Sequence, residues 1–241
     1  FRPEEKFNES NLVFFSKYIP KINDTVLELG AGIGNETLVM SKLVGSKGKI
    51  ISLEPHPKVF DYLLKTITFN KLKNVDPEQK VLSYKKDKLL FSDLDEDWIK
   101  NKISSNGKIE INPITIDEII LKYNIHKINF LKCNIEGSEI ELLNIGIDSL
   151  NKIENICIEC HDFLSSDNKN LHTFEPLISF LKKNGFKIYQ NYEKNKKYPH
   201  KNFYIYASKD SSIENNDYFN MRDKNSYVAF NNILTKKIKE N

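Results

Sequence analysis

Thr25-Val26-Leu27-Glu28-Leu29-Gly30-Ala31-Gly32-Ile33-Gly34-Asn35-Glu36-Thr37 is the stretch on which the reading of this chain turns. Thr25–Leu29 is a short, nearly continuous apolar run and predicts a buried β-strand. Residues 35–44 carry a helical pattern directly after the glycines. Glycine suits this turn for two reasons. The chain reverses sharply, with positive φ, and a ligand can approach backbone amides that a Cβ would screen. The helix start behind the turn adds the positive end of a helix dipole. A nucleotide-type ligand is the expected occupant.

Spacing narrows the ligand. A dinucleotide fingerprint places glycines at relative positions 1, 3 and 6. Here they fall at 1, 3 and 5, and Asn35 stands where the last glycine belongs, which weakens a nicotinamide-cofactor reading. Twenty residues beyond Gly34, Glu54 closes the next predicted strand. A carboxylate there can accept both hydroxyls of a ribose, so it supports an adenosine ligand without choosing among them. The pattern Glu28-x-Gly30-x-Gly32-x-Gly34 resembles the first motif of the class I S-adenosylmethionine-dependent methyltransferases, in which the loop wraps the methionine and ribose portion of the donor.

Outward from this loop, strand and helix patterns alternate. Strands are expected over Thr25–Leu29, Lys49–Leu53, Ile128–Cys133 and Ile153–Glu159, and helices over residues 57–70, 115–123 and 137–147. Phe60, Leu63, Leu64 and Ile67 form the predicted apolar stripe of the second helix, and Thr115 with Glu118 reads as a capping box. A last helix around Phe174, Leu177, Ile178 and Leu181 precedes two strands over residues 186–190 and 203–208. The expected fold class is α/β: a doubly wound, mostly parallel seven-stranded Rossmann-like sheet with one antiparallel strand. A helix over residues 10–19 is expected to flank it as residues 1–21. The main domain is expected to span 22–208, with a polar extension over 209–241 in which Tyr227, Phe230, Ile233 and Leu234 dock one short helix. Residues 76–113 lack periodicity and read as a strand plus a surface insertion, either a substrate-side loop or solvated, with an acidic run at Asp93, Asp95, Glu96 and Asp97.

The 241 residues favour one α/β-sized unit. With 39% hydrophobic and 29% charged residues, disordered and collagenous classes are excluded. No apolar run reaches the roughly 20 residues of a membrane span. Of 36 cationic residues only Arg2 and Arg222 are arginine, which argues against a nucleic-acid partner, since planar bidentate recognition favours arginine. Cys133, Cys157 and Cys160 are too few for a disulfide framework, and a cytoplasmic setting is expected. Cys157 and Cys160 stand three apart on or beside a strand, hence on opposite faces, which argues against a redox or metal pair. The chain starts at Phe1 rather than Met, so it reads as part of a longer or processed protein.

A closer resemblance rests on further segments. Ser52-Leu53-Glu54-Pro55-His56-Pro57, then Thr115-Ile116-Asp117-Glu118-Ile119-Ile120, then Phe130-Leu131-Lys132-Cys133-Asn134-Ile135-Glu136-Gly137-Ser138-Glu139 resemble, in that order, the marker segments of the FkbM methyltransferase family over about residues 22–185. The resemblance implies a class I fold, S-adenosylmethionine as cofactor, and methylation most often of an oxygen on a sugar, polyketide or related small molecule, with nitrogen as the acceptor atom in some relatives. It places Glu28, Gly30, Ala31, Gly32, Gly34, Asn35, Glu54, Pro55, His56 and Asn134 around the cofactor. Two positions depart from the family pattern: Asn134 replaces an aspartate, so it can hold a ligand but not take a proton, and Thr66 replaces an asparagine.

Methyl transfer to a hydroxyl needs an in-line acceptor and a group to take its proton. In an open α/β sheet that group lies at the carboxyl ends of the strands, where this chain offers His161, Glu136 and Lys132. His161 has the intrinsic pKa of a base but also the position of a strand cap. Glu136 and Glu139 read either as ligand-facing or as carboxylates stabilising a helix start. Lys132, within an apolar strand, is expected to pair with Glu136 or Glu159, in a catalytic or a purely structural role. The lysine-rich loop with Lys194, Lys196, Lys197, His200 and Lys201 suits either an anionic acceptor or a solvated hairpin tip. The expected function is O-methylation of a hydroxyl on a sugar, glycan or related small molecule. N-methylation of a peptide or small molecule and a non-catalytic cofactor-binding module are the alternatives.

Overall fold

The structure, a computed structural model, describes residues 13–93, 102–164, 172–189, 202–210 and 224–240. Seven strands form the main sheet: β1 (Thr25–Leu29), β2 (Lys49–Leu53), β3 (Val75–Glu78), β8 (Ile128–Cys133), β9 (Ile153–Glu159), β10 (Lys187–Tyr189) and β11 (Tyr204–Ser208). Their order is β10-β11-β9-β8-β1-β2-β3, and β11 alone runs against its neighbours. This is the expected doubly wound Rossmann-like sheet with one antiparallel strand. The order reverses beside β1, so the carboxyl ends of β1 and β8 open a crevice there.

Alternation along the strands builds two cores. Leu27, Ile51, Leu131 and Ile156 face a layer holding α3 (Ile116–Lys122), α4 (Ile147–Asn151) and α5 (Phe174–Lys183). Val26, Ile50, Phe130 and Cys157 face the other, where α1 (Asn35–Val44), the helical residues 13–15 and α6 (Lys224–Lys239) pack. Cys157 and Cys160 belong to opposite layers. Burial pushes all three thiols up, which leaves them as small apolar fillers.

Several elements differ from the sequence reading. Helix α2 (Pro57–Phe69) buries Val59 and Leu63, whereas Leu64 is exposed. The helix is rotated so that Leu63 and Thr66 close on Gly34, where an added Cβ would lie 2.9 Å from Leu63 Cδ1. Thr66 also donates its hydroxyl to the Ile33 carbonyl, so its short β-branched side chain ties the glycine turn to α2. The helix expected over 137–147 is a 3-10 helix, Glu139–Asn144, separated from α4 by extended backbone at Ile145 and Gly146. Gly146 is packed so closely on Asp117 that a Cβ there would meet its Oδ1 at 2.5 Å.

The insertion before α3 forms two small sheets, β4 (Val81–Leu82) with β7 (Pro113–Ile114), and β5 (Leu89–Phe91) with β6 (Ile109–Ile111). They share a minor core of Val81, Phe91 and Ile111. The acidic run beyond Asp93, the lysine-rich loop 194–201, residues 10–12 and the Tyr227 side chain lie outside the described residues. Near the N-terminus the helical backbone stops at Phe15, short of the expected Ile19. No helix among the described residues is long and apolar enough to cross a membrane.

Helix α6 spans 16 residues, more than the short helix expected of the polar tail. Phe230 and Leu234, one turn apart, are buried, while Ile233 faces outward. Because Phe230 is fully enclosed in the second core, Phe230→Ala should lower unfolding stability by about 3–5 kcal/mol. Urea denaturation measures this, and an unchanged midpoint would show that α6 is dispensable to the fold.

Candidate active site

The glycine turn is fastened on every side. Gly30 and Ala31 N–H both donate to the Leu53 carbonyl of β2, and the Asn134 N–H beyond β8 donates to the Leu29 carbonyl. At Gly30, with φ +78°, a Cβ would lie 1.8 Å from the Asn134 carbonyl oxygen. Two strand-end loops therefore touch through backbone alone, which only glycine permits.

Beneath this turn lies a buried ion pair. Glu28 and Lys132 are register partners on adjacent strands, and Lys132 Nζ stands 3.7 Å from Glu28 Oε1. The expected partners Glu136 and Glu159 are not the ones it meets. Lys132 Nζ donates to the Gly30 carbonyl at 2.6 Å and lies 4.9 Å from the Phe14 ring centre. Burial disfavours the ammonium, but the Glu28 charge together with the fields of Glu36 and Glu159 outweighs it and keeps the lysine protonated. The other Glu28 oxygen accepts from Thr37 of α1 and Ser52 of β2. Glu28 is fully buried and lies off the cavity wall. It ties the turn from behind to α1, β2 and Lys132 and, unlike Gly30, Ala31, Gly32 and Asn35 of that loop, does not line the cavity.

Above the turn is a cavity of about 280 Å³. Gly30, Ala31, Gly32, Asn35, Glu54, Pro55, Lys132, Asn134 and Glu136 line it, and these are nine of the expected site residues. Gly34 and His56 do not. Gly34 is turned toward α2. His56 is buried, with Nε2 3.3 Å from Asp93 Oδ1. The other wall is apolar, formed by Leu53, Val59, Val81, Leu82 and Phe91. The sequence reading passed over Val81, Leu82 and Phe91 because their segment has no periodicity, and Phe14 because it looked like part of a flanking helix. Their apolar character was the only signal available.

Glu54 accepts from the Gly32 and His56 backbone N–H groups at 2.9 and 3.0 Å. Burial raises its carboxyl to about 7, against those two hydrogen bonds. Farther along, the turn after β8 brings together Glu136, Glu139 and His161. Glu136 has φ +53°, unusual for a residue with a side chain. Its Oε2 lies 3.3 Å from His161 Nε2, and Glu139 Oε1 lies 2.9 Å from His161 Nδ1. His161 is therefore buried behind Glu136 and off the cavity wall, a placement closer to the strand-cap reading than to that of a base. Burial opposes its charge, but the two carboxylates prevail and push it up to about 10.

A seven-stranded sheet of this order, with a glycine turn and an acidic second-strand end around one cavity, defines the class I methyltransferase fold. The "Methyltransferase FkbM domain" family profile matches residues 28–188, and the chain belongs to that family. The hexuronic acid methyltransferase AglP of Haloferax volcanii is 26% identical over 58% of this chain and 56% of its own length. A probable ribosomal RNA small subunit methyltransferase A of Methanosphaera stadtmanae is 29% identical over 52% of this chain and 44% of its own. The chain thus spans about half the length of the curated relatives it matches. In fold it is similar to Aeropyrum pernix fibrillarin, solved with natively bound S-adenosyl-L-methionine, at a TM-score of 0.50 and 16% identity over 83% of this chain and 76% of that one. The chain thus carries a methyltransferase domain, a class whose methyl donor is S-adenosylmethionine, the molecule held by the fibrillarin structure.

The cavity suits that donor. Asn134 Oδ1 is buried at its wall without a hydrogen-bond partner, ready to accept from a ligand N–H. At Gly32 a Cβ would point into open space, and Glu54 retains acceptor capacity beyond its two backbone donors.

Two predictions follow from these geometries. Lys132→Met leaves Glu28 buried without its cation and should cost about 3–5 kcal/mol of stability, read by urea denaturation. A carboxylate accepts ligand hydroxyls better ionised than protonated, so S-adenosylmethionine affinity should rise with pH through about 7. Calorimetry between pH 6 and 8 should show about a tenfold gain in native protein over Glu54→Gln, a comparison that cancels the ligand's own titration. Parallel pH profiles would remove Glu54 from the binding role.

Proposed function

We propose that the chain transfers a methyl group from S-adenosylmethionine to a hydroxyl oxygen of a sugar or glycan, with Glu136 taking the proton. The observation that carries this reading is the Glu136 carboxylate on the cavity wall, partly open to solvent and held in a left-handed backbone conformation. Its neighbours on that wall include Asn134 and Ser138, neither of which can serve as a carboxylate base. In this reading Gly30, Ala31, Gly32, Asn35, Glu54, Pro55 and Asn134 hold the donor, which supplies an electrophilic methyl on its sulfonium. The apolar wall of Val81, Leu82 and Phe91 excludes water from the adenosine end. Lys132 shapes the site from below by fixing the Gly30 carbonyl, and carries no proton to the acceptor.

The name of the Haloferax relative supports a sugar-type acceptor. The name of the Methanosphaera relative points toward nucleic acid. Against that second acceptor, Asn134-Ile135-Glu136-Gly137 occupies the place where an Asn/Asp-Pro-Pro-aromatic segment would grip an exocyclic amine, and the chain has two arginines. A small-molecule or glycan acceptor, including an anionic one such as a nucleotide sugar, fits better.

The test is mass spectrometry of a panel of sugars, uronic acids, nucleotide sugars, peptides and a ribosomal RNA fragment incubated with the chain and donor. A mass gain of one methylene on a hydroxyl of a sugar-class member is the expected result, and a gain confined to RNA or peptide would overturn it. Glu136→Gln should lower turnover by about 10²–10⁴-fold while calorimetric affinity for S-adenosylhomocysteine is kept.

A further inference from the structure

We propose that His161 is a fixed positioning cation, clamped between Glu139 and Glu136, that holds the Glu136 carboxylate at the cavity wall. The proposal rests on the reading of Glu136 as the proton acceptor and adds what keeps it in place. Both ring nitrogens of His161 face carboxylate oxygens, Nδ1 at 2.9 Å from Glu139 and Nε2 at 3.3 Å from Glu136. A neutral imidazole has one donor and one lone pair, so it would set that lone pair against a carboxylate. With both carboxylates ionised, as a proton-accepting Glu136 requires, only the doubly protonated ring satisfies both contacts. In that state no lone pair remains to take a proton from an acceptor, and the ring is 3% exposed.

Glu139 completes the clamp through the backbone. It is fully buried, and the oxygen that meets His161 also accepts from the N–H groups of Ile135 and Gly137. Those peptide units flank Glu136, whose φ of +53° carries a cost of about 1 kcal/mol or more for a residue with a Cβ. One carboxylate therefore fixes the turn that aims Glu136, and one imidazolium fixes its side chain. The other charges near the ring are spoken for. Asp162 accepts from the Thr173 and Phe174 backbone, Glu159 interacts with Tyr204, and Lys132 is held by Glu28 and Gly30.

The experiment needs no acceptor for its first arm. The five histidines are labelled with ¹⁵N, and the His161 resonance is assigned by its loss in His161→Gln. The native imidazole should titrate near pH 10, and Glu136→Gln and Glu139→Gln should each bring it down by about one pH unit or more. A ring that titrates near its ordinary 6.5, or ignores both variants, overturns the clamp. The second arm measures turnover on the sugar panel. His161→Lys, which keeps a cation but offers no lone pair at neutral pH, should retain about tenfold more activity than His161→Gln, with unchanged affinity of both for S-adenosylhomocysteine. Equal loss in the two folded variants overturns the positioning role. Full turnover in Glu136→Gln, with the His161 titration shifted down by both variants as expected, would instead remove Glu136 as the proton acceptor and leave the clamp standing.

Discussion

An ammonium buried under a glycine turn is the constraint on which the rest of this structure depends. Lys132 is 2% exposed, and a cation so placed is tolerated only with a counter-charge and hydrogen-bond acceptors in reach. Glu28 and the Gly30 carbonyl supply them. Each of those partners does a second job. Glu28 ties β1 to α1 and β2 through Thr37 and Ser52, and the Gly30 carbonyl belongs to the residue whose missing Cβ lets the β8 loop close in. The floor of the cavity is thus built from one salt bridge and one backbone contact. The first joins the two central strands and the second the loops at their carboxyl ends, where the topology already opens a crevice.

The lines of the fold were legible because they rest on local patterns. The apolar run at Thr25–Leu29, the glycines after it and Glu54 at the next strand end are readable without knowing any long-range contact. The partner of Lys132 was not legible in the same way. Glu28 and Lys132 stand 104 positions apart in the chain and meet only through the parallel register of β1 and β8, which sequence pattern does not state. Glu136 and Glu159 were nearer in sequence and strand position, and nearness along the chain proved a poor guide to a buried pairing. The helix expected over 137–147 failed for a different reason. Its apolar spacing is helical, but Gly146 is pressed on Asp117 and backbone donors at 135 and 137 are taken by Glu139, so tertiary contacts overrule local propensity.

The apolar wall of the cavity shows the limit of periodicity most plainly. Val81, Leu82 and Phe91 come from strands of two or three residues, too short to display an alternation of period two. Their small sheets are stable only because they share a core with one another and lean on the main sheet. A segment of this kind reads as irregular in sequence, yet in space it supplies Val81, Leu82 and Phe91 to the apolar wall of the cavity. Asp93, two residues beyond Phe91, meets His56, whose own backbone is held by Glu54. The wall and the second-strand acid are therefore mechanically joined.

The substitution of asparagine at position 134 acquires a physical meaning in this setting. The turn after β8 already carries the carboxylates of Glu136 and Glu139 against a single imidazolium, so its net charge is negative before any ligand binds. An aspartate at 134 would add a further carboxylate to a cavity wall that already carries Glu36, Glu54 and Glu136, and like charges at such range raise one another's proton affinity. The amide keeps the acceptor oxygen, which lies buried and unpartnered at the cavity wall, while removing that repulsion. Position 134 is thereby left to hydrogen bonding, and the carboxylate next along the turn is the Glu136 side chain that meets His161.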